Sequence, residues 1–375
     1  MHYTFFMPVG GFGGLEIQMI KRAADNIANG GQSAVIASAG SKSEEFSLRN
    51  NIPFVASSLK RKYFDLNAIR TLGRLLRNEN SDVCVCGHSY YLSIAILARN
   101  LYNPHTTVIF YQQLESGIKK KDPIHNWIYK RTDGAVTLTK IMKNELIRDT
   151  AMTESKVAVI PYGIDLSSFD PSNYNKTNLR DKFDIPRDSL VFGLIGRIEH
   201  TKGQDIAVQA FIRAAIPGSH LVLCGSIAFA DYFDSLMKIA AEAGMTESIT
   251  YIPFTDNIPE LVNCFDISLM PSQKEAFGLV LVEAMAAGLP VIASDSGGVS
   301  ELINHNVDGL LFRFPDIVEL SDLMTKLAED PELRNTLGRA AFKRANNNYI
   351  YKTQSDLFFS FCSSASNIDT IDHND

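Results

Sequence analysis

The chain of 375 residues contains five cysteines, one tryptophan and no run of eighteen uncharged apolar residues. The last absence excludes a standard transmembrane helix. The first seven residues, MHYTFFM, are too short for a signal peptide, and no cationic segment precedes them. Cys84 and Cys86 alternate inside the apolar run DVCVCG, with no second pair nearby to complete a metal site. Buried strand thiols in a reduced, cytoplasmic protein are the expectation. No Asp-x-Asp sequence occurs, so a carboxylate pair holding a metal-bound diphosphate is not expected. What is present is ordinary globular composition, 45% hydrophobic and 21% charged, in a length comfortable for two domains.

Charge is unevenly spread. Residues 1–162 hold 20 Lys and Arg against 13 Asp and Glu, whereas the remainder holds 16 against 29, giving the net −6. A basic first half beside an acidic second half points to different partners, the basic side suiting an anionic surface or a phosphate-bearing substrate.

Short apolar runs alternate with helical spacers, twice. HYTFFM, SAVIAS, DVCVCG, TVIFYQ, AVTLT and VAVIPYG read as strands of a first set. SLVFGLIG, HLVLCG, SITYIP, DISLMP and PVIAS form a second. Such alternation predicts parallel sheets covered by helices on both faces, hence two doubly wound α/β domains facing across a cleft. The Pro-, Gly-, Ser- and Asn-rich join at residues 160–178 divides them. The expected organisation is an N-terminal domain over 1–162, a C-terminal domain over 163–345, a helix over 346–362 packing back on the N-domain, and a disordered tail over 363–375.

In open α/β sheets ligands bind beyond the carboxyl ends of the strands, so strand-to-helix loops are the places to search. The first loop, PVGGFGGLE, puts Gly13 and Gly14 at a helix start, where a backbone can approach a ligand closely. The full dinucleotide fingerprint fails after Gly11 and Gly13, and the second strand ends in Ser38 rather than an acidic residue. A tight turn without a ligand stands beside the phosphate reading there. In GLIGRIEHTKGQD, Arg197 and Lys202 flank a loop where two cations suit a pyrophosphate, or are merely solvated. In EAFGLVLVEAMAAGLPVIAS, Glu275 precedes a helix start whose amides near Gly278, Leu279 and Val280 suit a phosphate. Glu283, eight positions on, sits among Val282, Ala284, Met285 and Ala286. A carboxylate in such company suits a buried diol better than open solvent. A further strand-to-helix turn, SDSGGVSELI, reads as structural.

Together these pieces resemble the retaining glycosyltransferases of the GT-B fold, family four. The resemblance rests on Gly13-Gly14-Leu15-Glu16, the interdomain IPYGIDLSSF, the R-x4-K-G element Arg197, Lys202 and Gly203, and the E-x7-E element Glu275 to Glu283. It implies two Rossmann-like domains, the first binding an acceptor and the second a nucleotide-sugar donor. It implies that Arg197 and Lys202 hold the diphosphate, that Glu275 holds hydroxyls of the transferred sugar with backbone help from Phe277 and Gly278, and that Glu283 holds the ribose. Gly14 lets the N-domain loop reach the phosphates.

The chain departs from the family where relatives carry a histidine after the fourth strand of the N-domain. TVIFYQQLES offers Gln112 and Gln113 instead, with His88 and Glu115 as neighbouring candidates for acceptor or sugar contacts. The implied chemistry is hexose transfer from a UDP- or GDP-linked sugar to a glycan or glycolipid hydroxyl in surface-polysaccharide or lipopolysaccharide assembly. It would proceed by front-face attack, without metal or cofactor. Basic and aromatic residues interleave in LKRKYF and IKKKDPIHNWIYKR, a pattern suited to peripheral contact with anionic lipid and equally to a solvated helix. Nucleic acid is not an expected partner. A nucleotide-sugar epimerase, a sucrose-type synthase and a non-catalytic nucleotide-sugar sensor remain open.

Overall fold

A computed structural model of the chain describes residues 1–368 apart from 9, 11, 12, 58, 60 and 116, and apart from the side chains of 367 and 368. Gly11 of the first glycine-rich loop, Lys60 of the first basic stretch and the tail from 369 therefore lie outside the described residues.

The chain divides into two units. Unit 1 comprises residues 1–162 and 353–375, and unit 2 residues 163–352. Unit 1 carries β1 (His2–Phe6), β2 (Gln32–Ala37), β3 (Phe54–Ala56), β4 (Val83–Cys86), β5 (Thr107–Gln112), β6 (Gly134–Thr137) and β7 (Val157–Val159). Their order across the sheet is β3-β2-β1-β4-β5-β6-β7, every pairing parallel. Unit 2 carries β8 (Leu190–Ile195), β9 (Ser219–Cys224), β10 (Ile249–Ile252), β11 (Ile267–Met270), β12 (Val291–Ser294) and β13 (Leu310–Phe312). Their order is β10-β9-β8-β11-β12-β13, again all parallel. Each unit is thus a doubly wound α/β domain of the expected class. Both faces of the central strands are covered: β1 and β9 are buried along their whole length, the polar His2, Thr4, Ser219 and His220 included. All five cysteines are free and buried, and burial pushes the Cys86 thiol up to about 12. Among the described residues no helix is long and apolar enough to cross a membrane.

In each sheet the order reverses at one place, between β1 and β4 and between β8 and β11. The loops following those four strands diverge there, leaving the crevice in which such sheets bind ligands. Two short strands escaped the sequence reading, β3 and β13. Each has three residues and lies at a sheet edge, too short to show a pattern of its own.

The chain passes between the units at Tyr162–Gly163 and at Lys352–Thr353. Within unit 2 the two crossing segments are bonded to each other: Ile164 N donates to Tyr349 O at 2.8 Å and Tyr351 N to Ile164 O at 2.9 Å. A Cβ on Gly163 would lie 2.5 Å from Tyr351 Cα, which explains the glycine of IPYGID.

The C-terminal boundaries differ from those expected. Unit 2 runs to residue 352, because the helix Pro331–Asn348 continues past 345 and the Tyr351 segment pairs with Ile164. The final helix is Tyr351–Ile368, so residues 363–368, expected as disordered tail, are helical. Its apolar side faces unit 1. Phe358 packs 5.2 Å from the Tyr111 ring with the Arg22 guanidinium 5.1 Å above it, Phe359 packs 5.0 Å from Tyr3, and Cys362 is fully buried.

Candidate functional site

In unit 2 the candidate residues sit on the two loops that leave β8 and β11. The β8 loop is drawn tight by close backbone approaches. Gly196 N donates to Cys224 O at 2.9 Å, and a Cβ on Gly225 would meet Gly196 O at 2.1 Å. A short turn, His200–Lys202, ends at Gly203, which is left-handed at φ +68°. A Cβ there would lie 2.0 Å from Pro271 O on the neighbouring loop. Gln273 N donates to Thr201 O at 2.9 Å, so the two loops are fastened side by side. Gly203→Ala should therefore push them apart, since both the backbone conformation and the clash oppose a side chain. We expect at least about 1 kcal/mol of destabilisation, which thermal unfolding would check.

This fastening brings Lys202 and Glu275 together: Lys202 Nζ lies 2.6 Å from Glu275 Oε2, with both side chains partly open to solvent. Glu275 is held from behind, its carbonyl accepting from Gly298 N at 2.8 Å. The SDSGG turn thus has the structural role expected of it: Ser296 Oγ also donates to Ser272 O at 3.0 Å. Arg197 is largely exposed and turns to Glu199, Nε to Oε2 at 2.9 Å, while Thr201 Oγ1 donates to Glu199 Oε1 at 2.9 Å. Sequence reasoning passed over Glu199. It also passed over Gln204, whose buried amide donates to Arg197 O at 2.9 Å while its Oε1 finds no partner among the described residues. Only their positions inside the R-x4-K-G loop would have pointed to them.

Gly278, left-handed at φ +94°, caps the helix Leu279–Ala286 without any side-chain bond. Leu281 N and Val282 N both turn back to Gly278 O, at 3.0 and 3.4 Å. The amides of Leu279 and Val280 precede the first intrahelical acceptor and carry the positive end of the dipole. Phe277 is buried with its ring 5.8 Å from Tyr349, so its side chain is packing and only its backbone faces a ligand role. Glu283 is half-buried in the second turn of this helix, between fully buried Val282 and Ala284.

In unit 1, Gly13 is the extended residue before the helix Gly14–Ala28. Its N–H is already taken by Glu16 Oε2 at 2.9 Å, so any phosphate contact must use other amides of the turn. Burial raises the Glu16 pKa, and backbone bonds oppose the rise. A Cβ on Gly14 would meet nothing within 4 Å among the described residues.

His88, Gln112, Gln113 and Glu115, distant in sequence, line one cavity of about 200 Å³ beyond the ends of β4 and β5. Burial lowers the His88 pKa, favouring neutral imidazole, and its Nε2 is buried without a partner among the described residues. Gln113 Oε1 accepts from Tyr162 Oη, and Gln112 Nε2 donates to Leu114 O at 3.2 Å. Gln112 Oε1 and Gln113 Nε2 are left unbonded in the same way. Unmet buried polar groups cost about 1–3 kcal/mol each, a cost that a hydroxylated ligand would relieve.

The same cavity holds Lys120, Tyr63, His125 and Tyr129. These belong to the two basic-aromatic stretches, which the sequence presents as a solvated or lipid-facing surface. The fold turns part of them inward instead: Tyr129 and Lys120 are buried, whereas Phe64, Ile118 and Ile124 are exposed.

The family model described as Glycosyl transferases group 1 matches residues 175–344, and that described as Glycosyltransferase Family 4 matches residues 12–168. The D-inositol 3-phosphate glycosyltransferase of Pseudarthrobacter chlorophenolicus is 33% identical over 246 residues, covering 62% of this chain and 57% of that protein. The 2-deoxystreptamine glucosyltransferase of Streptomyces kanamyceticus is 30% identical over 214 residues, covering 56% and 54%. The matched part is thus little more than half the length of these curated relatives. A glycosyltransferase structure from Rickettsia africae superposes with a TM-score of 0.89 at 19% identity, covering 97% of this chain and 98% of that one. Anabaena HepE, solved with UDP and glucose, gives 0.84 at 21%, covering 97% and 100%. At such identity these likenesses establish the GT-B fold.

Proposed function

Because the chain belongs to glycosyltransferase family 4, with its group 1 glycosyl transferase domain, we propose that it moves a hexose from a UDP- or GDP-linked sugar to a hydroxyl of a glycan or glycolipid. The observation that carries this reading is the Lys202–Glu275 pair, fastened beside an uncapped helix N-terminus at the reversal point of the unit 2 sheet. Lys202 has three donors and spends one on Glu275, so two remain for phosphate oxygens. The Leu279 and Val280 amides and Arg197 add positive potential for the diphosphate. Glu275 offers further lone pairs to hydroxyls of the hexose, and Glu283 to the ribose diol.

Transfer proceeds with retention in this proposal. The acceptor oxygen bonds to the anomeric carbon on the face from which the diphosphate departs, the carbon–oxygen bond to phosphate breaks, and the acceptor proton passes to the departing phosphate oxygen. Lys202, Arg197 and the helix amides stabilise the leaving charge. A role in surface-polysaccharide assembly at the membrane belongs to the same proposal. The basic balance of residues 1–162 and the exposed Phe64, Ile118 and Ile124 of unit 1 support it.

Purified protein screened against UDP-, GDP- and ADP-sugars is expected to bind one donor, hydrolyse it slowly without acceptor, and keep that activity in EDTA. Activity lost in EDTA and regained with a divalent ion would count against side-chain cations as the diphosphate ligands. Appearance of a C2 epimer from donor alone would favour an epimerase. Transfer to free fructose would favour a sucrose-type synthase, and binding without turnover a sensor. Failure to bind anionic liposomes at low salt would remove the membrane part alone.

A further inference from the structure

We propose that the unit 1 cavity takes an acceptor bearing an anionic oxygen group, a phosphate or carboxylate, and that Lys120 meets that charge. This rests on the reading of that cavity as the acceptor site.

Lys120 is anchored by its backbone, N–H to Asp149 O at 2.7 Å, and its side chain turns inward until the residue is only 7% exposed. Its side-chain hydrogen bond goes to the neutral hydroxyl of Ser89, Nζ to Oγ at 2.9 Å, and the Tyr90 ring lies 5.7 Å away. Among the described residues it makes no ion pair. A buried ammonium without a counter-charge is unfavourable, and burial correspondingly lowers the Lys120 pKa. A lysine serving only the fold would be paired with a carboxylate of the same wall.

Three carboxylates do line the cavity, and none takes this role. Asp149 is engaged by Arg148 at 2.7 Å, and Glu145 lies 4.0 Å from the same guanidinium. Glu115 makes no ion pair with Lys120. The positive potential is added to by a second element. The turn Ser89–Tyr91 and the helix Leu92–Tyr102 begin at this wall, directly after β4, so the positive end of that dipole meets the cavity where Ser89 holds Lys120. Ammonium, hydroxyl and helix start form a site for an oxyanion. The unmet polar atoms of His88, Gln112 and Gln113, with the buried Glu145 Oε2 that also lacks a hydrogen-bond partner among the described residues, form the part that suits neutral hydroxyls. One end of the acceptor is thus charged and the other end is polyhydroxylated.

The test uses the full chain and its single tryptophan. Trp127 lies on the helix Pro123–Lys130, whose His125 and Tyr129 line the cavity, and its fluorescence reports occupancy. Glucose 6-phosphate and glucuronate are titrated against glucose, and phosphatidylinositol vesicles against phosphatidylcholine vesicles. At least one anionic probe is expected to bind tenfold or more tightly than its neutral counterpart. Lys120→Met should reduce that preference below twofold, and Lys120→Arg should keep part of it. A preference confined to vesicles assigns a lipid headgroup, and one confined to sugars a soluble acceptor. No preference in the wild type, or a preference that survives Lys120→Met, overturns the proposal. Should that variant fail to fold, inorganic phosphate must displace the anionic probe and not glucose from wild-type protein, or the proposal falls. UDP binding measured in parallel separates the two readings: its absence undercuts the transferase reading, whereas the anion preference is scored independently.

Discussion

Lys202→Ala is expected to lower glycosyl transfer about a hundred- to a thousand-fold, the usual effect of deleting one group that stabilises developing negative charge. The ammonium is placed for this by three separate constraints. The left-handed Gly203 ends the turn beneath it, Gln273 N ties its loop to the next, and Glu275 Oε2 holds Nζ at 2.6 Å. Lys202→Ala also leaves Glu275 without that cation, so in the proposed donor site sugar orientation should suffer together with phosphate binding. Both kcat and nucleotide affinity should fall. Glu275→Ala is expected to act differently, lowering kcat with smaller loss of affinity for UDP or GDP alone, because those ligands lack the hexose. Steady-state kinetics and calorimetry on both variants would check the split. A Lys202→Ala enzyme within threefold of wild type would remove Lys202 from the proposed chemistry.

Asp266→Ala is expected to destabilise unit 2 by about 3 kcal/mol, the lower end for breaking a buried ion pair. Thermal unfolding should then fall by about 6–12 °C, given the size of the unit. Asp266 stands just before β11 and is the hub of a charge cluster. Arg180 Nη2 reaches Oδ2 at 2.7 Å, Lys176 Nζ reaches Oδ1 at 2.6 Å, and Val191 N at the start of β8 donates to Oδ2 at 2.7 Å. Arg180 is almost fully buried and also bonds three backbone carbonyls, those of Cys264, Arg187 and Ser189. Removing the carboxylate leaves that guanidinium uncompensated at the base of the two strands whose far ends carry the candidate site. The carboxyl is pulled in two directions. Burial raises its pKa, but Lys176, the Val191 amide and Arg180 together outweigh burial and lower it. Its stabilising contribution is therefore present above the ordinary aspartate range and is lost as pH falls through the depressed value. The difference in stability between wild type and Asp266→Ala should accordingly be full at pH 7 and shrink below about pH 4. Urea denaturation across that range would show it, and an unchanged difference at pH 2.5 would contradict the assignment.

Much of the architecture was legible in the chain because both domains obey local rules. Strands buried on two faces show as largely apolar runs, and the loops after β8 and β11 carry glycine where the backbone must turn left-handed or pass close to a neighbour. Gly203 and Gly278 are two such positions, and their side-chain neighbours Lys202 and Glu275 were readable from spacing within one motif each. The short edge strands β3 and β13 were not legible, since each has three residues directly after Pro53 or Gly309, whereas the equally short β7 lies in the apolar run VAVI. Nor was the end of unit 2. Residues 349–352 join that unit through the backbone bonds that Tyr349 and Tyr351 share with Ile164, and such bonds leave no mark on composition.

The sequence by itself determined the fold class, the join near residue 162 and the set of charged residues around the proposed donor site, because those depend on contacts within about ten residues of chain. Only the tertiary structure decided which of them meet. Lys202 and Glu275 are 73 residues apart and are paired through the adjacency of β8 and β11. His88, Gln112 and Lys120 share a cavity because β4 and β5 are neighbours. The inward turn of Lys120, inside a basic run that reads as surface, follows from the anchoring of its amide to Asp149. Burial is a property of what the rest of the chain leaves room for, and no short stretch of sequence contains it.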